Sequence, residues 1–346
     1  MTKLQVGIIG CGSIAQKRHI PEYVANPKTK IIGFYDRNPK RAQKQTQKYG
    51  GKVFNSIKEL LNDLTIDAVS ICVANFLHAT ITIDALKAGK HVLCEKPMGL
   101  TLDECKQMVQ TARKTHKRLL VDQNQRLAPA HKKARALIKQ GIIGKPLSFK
   151  TTFGHAGPDA WSINKGANTW FFNKQNAGFG VIFDLGIHKI DLIQYLLDDT
   201  INSVYTKLAT LDKHDSSGKL IPVDDNASAV FTTQKGTLGN LSASWTYYGQ
   251  EDNSTLIYGS KGIMKIYDDP KYSLKVILKN GEKINYQIGS IQTNNNQTNS
   301  GVIDEFVDAV LKSRTSTLDG NLALKSMKTV FSCVKSNAKG QVIKVN

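Results

Sequence analysis

The chain has 346 residues, 40% of them apolar and 22% charged, which is the composition of an ordinary globular protein and excludes disordered, collagen-like and membrane-embedded classes. That length exceeds one average hydrophobic core, so two domains are expected. The formal net charge of +19 raises nucleic-acid binding, but the basic residues are dispersed. The modest clusters at Lys114–Arg118 and His131–Arg135 fit solvated helix faces, and no zinc-finger, RRM or basic-zipper signature accompanies them. No nucleic-acid partner is therefore expected, and the charge is read as aiding solubility or attracting anionic ligands.

No apolar run approaches membrane-spanning length, and the opening Met-Thr-Lys-Leu-Gln-Val-Gly lacks the apolar core of a signal peptide. A cytoplasmic protein without a membrane partner is expected. The five cysteines (Cys11, Cys72, Cys94, Cys105, Cys333) form no CxxC pair and read as reduced, mostly buried thiols, with neither a disulfide framework nor a metal site.

The first strand, Leu4–Gly10, is short and β-branched, and runs directly into Gly10-Cys11-Gly12-Ser13-Ile14-Ala15, a match to GxGxxG/A. Gly10 permits a tight turn, Gly12 lets the backbone approach a pyrophosphate, and Ala15 lets the next helix pack closely. Ser13 and Ile14 then open a helix whose free N–H groups and positive dipole end suit phosphate. A second strand, Lys30–Tyr35, ends at Asp36, 21 residues beyond Ala15, where a carboxylate would bond the ribose hydroxyls of NAD. Helix N-capping before Pro39 is the structural alternative for Asp36. Arg37 beside it could accept the 2′-phosphate of NADP; NAD is favoured.

The alternation continues with a helix at Ser56–Leu64, a buried strand at Ala68–Val73, a helix at His78–Lys87 closed by Gly89, and a strand at His91–Cys94. A helix at Leu102–Thr115 and a strand at Leu119–Asp122 follow. Strands alternating with helices at this spacing imply a doubly wound parallel sheet, a Rossmann domain over residues 1–123. Ligands of such sheets bind at the carboxyl ends of the strands. That edge would carry Ala74, Asn75 and His78 after one strand, Glu95-Lys96-Pro97 after the next, and Gln123-Asn124-Gln125-Arg126 after the last. Pro97 fixes its own φ and biases Lys96 toward extended backbone, and lysine is readily tuned for proton exchange by burial.

Beyond Arg126 a helix at Ala130–Lys139 precedes strand-like segments at 146–153, 203–211, 227–233, 239–247, 255–259, 262–267 and 274–278. Short glycine turns at Lys235-Gly236 and Ser260-Lys261-Gly262 suggest antiparallel hairpins. Helices are expected at Ser300–Lys312 and Asn321–Asn337, and a long loop at Asn280–Ser300. Residues 124–346 thus read as an α+β domain with one large, mainly antiparallel open sheet. Within it lies Gly178-Phe179-Gly180-Val181-Ile182-Phe183-Asp184-Leu185-Gly186-Ile187-His188, where helix would place Asp184 and His188 on one face. A carboxylate beside an imidazole suits proton transfer, and equally suits a helix cap with a structural histidine. His155 and Trp170-Phe171-Phe172 fall in a glycine-rich stretch; core packing is the default for the aromatics, with Trp170 expected to face a ligand.

Together these residues resemble the Gfo/Idh/MocA family (glucose–fructose oxidoreductase and inositol dehydrogenase). The resemblance rests on the strand–GxGxxA opening, Asn75-Phe-Leu-His78, Ala88-Gly-Lys-His-Val-Leu-Cys-Glu-Lys-Pro97, Asn124-x-Arg126 and Asp184-x-Gly-x-His188-x-x-Asp191-Leu192. It implies a nicotinamide-dependent oxidoreductase acting on a sugar, inositol or related polyol, with an open sheet that mediates a homodimer or homotetramer. Carried over by motif, Lys96 and His188 would be catalytic, Asp184 their supporting carboxylate, and Glu95 would lie near the nicotinamide. With Lys96 and His188 92 residues apart, the site would lie between the domains. Ala74 replaces a common proline, Phe171 stands where many sugar-acting members have arginine, and Gly178-Phe179-Gly180 interrupts a glycine triplet. The same motifs leave two other activities open: a cofactor-binding redox sensor, and oxidation coupled to elimination, as in glycosidic cleavage.

Overall fold

Six short apolar runs become six parallel strands: β1 (Leu4–Ile9), β2 (Thr29–Tyr35), β3 (Lys52–Val53), β4 (Ala68–Ile71), β5 (His91–Cys94) and β6 (Leu119–Val121). The structure, a computed structural model, describes residues 3–291 and 299–346. These make two units, one of residues 3–124 with 299–324, the other of residues 125–291 with 325–346. The first unit holds the parallel sheet in the order β3-β2-β1-β4-β5-β6, the dinucleotide-binding order expected of a Rossmann domain. Strands β4 and β6 are buried along their whole length, because crossover helices cover both faces of such a sheet. The chain reverses its direction of winding between β1 and β4, so the crevice is set at their carboxyl ends. Two helix starts are fixed by short polar side chains. Ser56 accepts from the N–H of Glu59, and Thr101 with Glu104 closes a capping box.

Residues 299–324, which the sequence reading gave to the second domain, return to the first unit. Ser300 donates through its amide and hydroxyl to Glu22 at 2.8 and 2.9 Å, and Lys28 pairs with Asp308 at 3.0 Å. The amide of Val121 bonds Leu318 O at 3.0 Å, so this segment extends the β6 edge. An amphipathic helix such as Val302–Leu311 announces one apolar face in the sequence but not the surface that it covers.

The second unit holds nine strands: β7 (Pro146–Gly154), β8 (Ile201–Ala209), β9 (Asn226–Thr233), β10 (Leu238–Ser244), β11 (Thr255–Gly259), β12 (Gly262–Ile266), β13 (Leu274–Leu278), β14 (Lys283–Tyr286) and β15 (Ile343–Lys344). Their order is β14-β13-β12-β11-β7-β10-β9-β8-β15, with β7 and β10 parallel and the other neighbours antiparallel. Both glycine hairpins form as expected, β9–β10 and β11–β12. Strand β14 corrects the reading of Asn280–Ser300 as a loop: Lys283-Ile284-Asn285-Tyr286 alternates polar and apolar residues and pairs with β13. Residues 292–298 of that stretch lie outside the described residues. Among the described residues no helix is long and apolar enough to cross a membrane.

Helix Ile187–Leu197 is buried at every residue and carries Asp191 into the interior. There Arg126 meets it in a bidentate pair, Nε to Oδ2 at 2.6 Å and Nη2 to Oδ1 at 2.7 Å. The Ser326 hydroxyl adds a third donor at 2.7 Å. Removing one partner would leave a buried, uncompensated charge. Asp191→Ala is expected to lower unfolding free energy by about 3–5 kcal/mol in urea titrations, far more than an exposed ion pair would.

Candidate active site

Within the first unit the glycine loop has the shape that a dinucleotide requires. Gly10 adopts a φ of +94°, and a Cβ there would sit 2.4 Å from the carbonyl oxygen of Cys72, so only glycine fits. A Cβ on Gly12 would meet nothing within 4 Å, which leaves that side of the loop open for the approach of a ligand. Ser13 and Ile14 begin the helical segment, and Ala15 is buried against the strand. Asp36 is not the helix cap. Asn38 takes that role, accepting from Lys40 N at 3.2 Å. The Asp36 carboxylate instead accepts the amides of Cys11 and Asn38, each at 2.8 Å, and so binds the end of β2 to the glycine loop. Arg37 is exposed beside it.

After β4, Ala74 leads into a single helical turn, Asn75–Leu77, and His78 opens the next helix fully buried. The His78 ring faces the carbonyls of Pro97, at 2.7 Å, and Val73, at 3.1 Å. Burial lowers its pKa, so the ring is neutral and donates to one of these two carbonyls. After β5 the Glu95 carboxylate turns onto His19, at 3.0 Å, and onto the amide of Lys96, at 3.2 Å. Asn124 follows the end of β6. The structure thus collects at one sheet edge the residues that the sequence places there, and brings His19, one turn past the loop, against Glu95.

Within the second unit Asp184 lies inside a π-helical turn, Ile182–Gly186, that runs directly into the helix bearing His188. Such turns recur at functional sites. Capping falls to Asp224, whose two oxygens accept the amides of Gly180 and Ile182 at 2.8 Å each. Gly180 is required for this approach, since a Cβ there would lie 1.8 Å from Asp224 O. Asp184 Oδ2 accepts the indole N–H of Trp245 at 3.0 Å. From Trp245 an aromatic wall runs through Phe171 and Trp161 to His155, with ring centroids 6.4, 5.2 and 6.5 Å apart in turn. Phe153 stands 5.8 Å from His155 and 5.9 Å from His188. Trp170, expected to face a ligand, stacks on Phe171 at 3.9 Å. Trp161 and Trp245, which the sequence did not single out, complete the wall; no local pattern ties either to Asp184.

Lys189, next to His188, is fully buried and donates to Asn253 O at 2.8 Å and to the Thr255 hydroxyl at 3.3 Å. Burial pulls its pKa down to about 7, with Asp252 and Glu251 opposing the shift. A folded pKa below the unfolded value means that the charged lysine costs stability at acid and neutral pH, and that this cost fades as pH rises toward the unfolded pKa of about 10.4. Lys189→Met should therefore raise the melting temperature more at pH about 6 than at pH about 9; equal gains at both would show that Lys189 keeps its proton in the folded chain across that range.

The chain matches the model of the oxidoreductase family with an NAD-binding Rossmann fold over residues 4–123, and that of the Gfo/Idh/MocA C-terminal domain over residues 131–265. It is 29% identical to levoglucosan dehydrogenase of Pseudarthrobacter phenanthrenivorans, over 76% of this chain and 73% of that one. With myo-inositol 2-dehydrogenase of Thermotoga maritima it shares 26% identity, over 80% and 78% of the two chains. The structure of levoglucosan dehydrogenase in complex with NADH superposes with a TM-score of 0.88 over the full length of both chains, at 24% identity, and so shares the fold. With a glycine loop shaped for a dinucleotide and both domain models matched, the chain belongs to the Gfo/Idh/MocA family of oxidoreductases and carries its NAD-binding Rossmann fold.

Proposed function

We propose that the chain oxidises a secondary alcohol of an uncharged sugar, inositol or related polyol to a ketone, with NAD as the acceptor. The observation that carries this reading is the second unit's pairing of Asp184 and His188 with a wall of aromatic rings, since rings suit the apolar C–H faces of a sugar while the polar pair addresses its hydroxyls. Phe171, in place of a cation, supports an uncharged substrate. Levoglucosan dehydrogenase and myo-inositol 2-dehydrogenase, named for such compounds, are consistent with it.

When bound, NAD supplies the hydride-accepting carbon. The protein supplies orientation and charge control. His188 takes the hydroxyl proton, and Lys96 hydrogen-bonds the substrate oxygen and stabilises the negative charge that develops there. Asp184, anchored by Trp245, holds the imidazole and helps to seat the polyol. His155 and Trp170 border the substrate. Gly10, Gly12, Ser13 and Ile14 would cradle the pyrophosphate. Asp36 would hold the ribose, with Ala74, Asn75, His78, Glu95 and Asn124 along the same edge. Lys96→Met and His188→Ala should each lower kcat by about 10²–10⁴-fold in a coupled screen of inositols, aldoses and their glycosides. Unchanged turnover in both would remove these roles. NADH accumulating in step with ketone, rather than remaining enzyme-bound, separates dehydrogenation from oxidation with elimination.

Asp36 favours NAD, because its buried carboxylate would repel a 2′-phosphate. Asp36→Ala should shift the NAD over NADP preference in kcat/KM by at least about tenfold toward NADP, the scale of one unfavourable charge contact. The outer face of the nine-stranded sheet exposes Tyr205, Val230, Leu238 and Tyr258, and we assign it to a homodimer or homotetramer contact. Val230→Lys should then lower the mass measured by light scattering to that of the monomer. The five cysteines are buried thiols, as suits a reducing cytoplasm.

A further inference from the structure

Beneath the carboxyl edge of the parallel sheet lies a cluster of which the proposed function uses only Glu95. His19, Glu95 and Asp122 are 1%, 7% and 4% exposed, and they come from three separate segments. His19 closes the π-helical turn Ala15–His19 that follows the glycine loop, Glu95 follows β5, and Asp122 follows β6. One ring nitrogen faces both carboxylates: Nε2 lies 3.0 Å from Glu95 Oε1 and 3.4 Å from Asp122 Oδ2. The other, Nδ1, lies 2.9 Å from Ser70 Oγ in β4, which is itself 3.2 Å from the hydroxyl of Tyr23. Ser70 Oγ and the Glu95 carboxylate can each accept from the ring, so an imidazolium donating to Ser70 on one side and to Glu95 on the other is satisfied there.

Charge balance completes the assignment. Two ionised carboxylates around one imidazolium would leave a net buried charge, whereas one protonated carboxyl leaves none. Burial opposes the charged imidazole, but the surrounding acidic groups, with Glu95 bonded to Nε2, outweigh it and hold the His19 pKa well above the ordinary histidine value. Burial also works against ionised Glu95, yet His19 overrides it, with Lys96 and Arg18 helping, and the Glu95 pKa falls. Burial and then the charge of Glu95 raise the Asp122 pKa, so of the two carboxyls Asp122 holds a proton the more readily. The remaining titratable groups around the ring are Tyr23 and Cys72, both kept neutral by burial, and Glu22, whose pKa is raised.

We propose that His19 is a positioning residue for the reaction, holding the Glu95 carboxylate in one orientation and through it the backbone that presents Lys96. Glu95 spends Oε1 on His19 and Oε2 on the Lys96 amide, so the strand end is tied to the ring by a single carboxylate. On the far side of Lys96 the carbonyl of Pro97 meets His78 at 2.7 Å, which anchors the peptide from the other direction. The same ring reaches the glycine-loop helix, β4, β5 and β6, so the cofactor cradle and the lysine share one hub. A purely structural explanation is weak on energetic grounds. Buried ionic clusters are commonly no more stable than apolar groups of the same volume, so their benefit lies in geometry. Misplacement by about 1 Å can cost 10²-fold in rate.

The role assigned to Lys96 rests on the proposed function, and the test separates the two. In the full chain with ¹⁵N-labelled histidine, the His19 ring, identified by its loss in His19→Gln, should carry both protons at neutral pH. In Glu95→Gln it should become neutral. Exchange of the Lys96 amide with deuterium should speed up by at least about tenfold in His19→Gln and in Ser70→Ala, while the amides of β1 are unaffected. With NAD and alcohol saturating, His19→Gln should lower kcat about 10–100-fold with NAD affinity within about threefold, Glu95→Gln should lower kcat at least as much, and the double variant should fall no further than the worse single one. A neutral His19 in the wild type, an unaltered Lys96 amide, additive losses in kcat, or stoichiometric zinc in the purified protein would each overturn the proposal. A wild-type chain that oxidises no polyol would instead remove the functional reading, and the ring protonation and amide exchange would still decide the role of His19.

Discussion

A carboxylate removed from water must find donors, and the way this chain meets that requirement determines the arrangement of its polar residues. Asp36 takes two amides and binds the end of β2 to the glycine loop. Asp224 takes two more and fixes the start of the helical segment that carries Asp184 and His188. Asp191 takes Arg126 and Ser326, and Glu95 takes His19 and the Lys96 amide. Each acid therefore ties together segments distant in the chain, and each tie lies at or beside a residue proposed to act on cofactor or substrate. Capping duties fall to Asn38 and Asp224, which leaves Asp36 and Asp184 available for other partners.

Much of the first unit was legible in the sequence, because its information is local. Helices His78–Lys87 and Leu102–Thr115 and strand β5 fall at the residues that periodicity and glycine or threonine signals indicate. The glycine loop declares itself by Gly10 and Gly12, whose steric roles are independent of the rest of the fold. What the sequence did not disclose is tertiary. The return of residues 299–324 to the first unit depends on Glu22 and on the β6 edge, more than 170 residues away in the chain. Strand β14 was hidden because its alternating residues sit among asparagines and glutamines that suggest a loop.

The candidate site divides along the same line. Lys96, Asp184 and His188 could be singled out because their neighbours form dense motifs. Trp245, 61 residues beyond Asp184, and His19, 76 residues before Glu95, have no such neighbours and are found only through their contacts. Trp170 was singled out as part of a conspicuous aromatic triplet and stacks on Phe171, while the indole that bonds Asp184 belongs to another element.

The central claim is that hydride leaves a secondary carbinol carbon of a sugar or polyol for NAD. It is tested most directly by following deuterium from a substrate labelled at that carbon, with the nucleotide product read by mass spectrometry and NMR. The account predicts one deuterium on the nicotinamide ring of each NADH formed, placed on a single face, together with one equivalent of ketone. Label appearing in solvent with unlabelled NADH, or products formed while no reduced nucleotide is released, would contradict it.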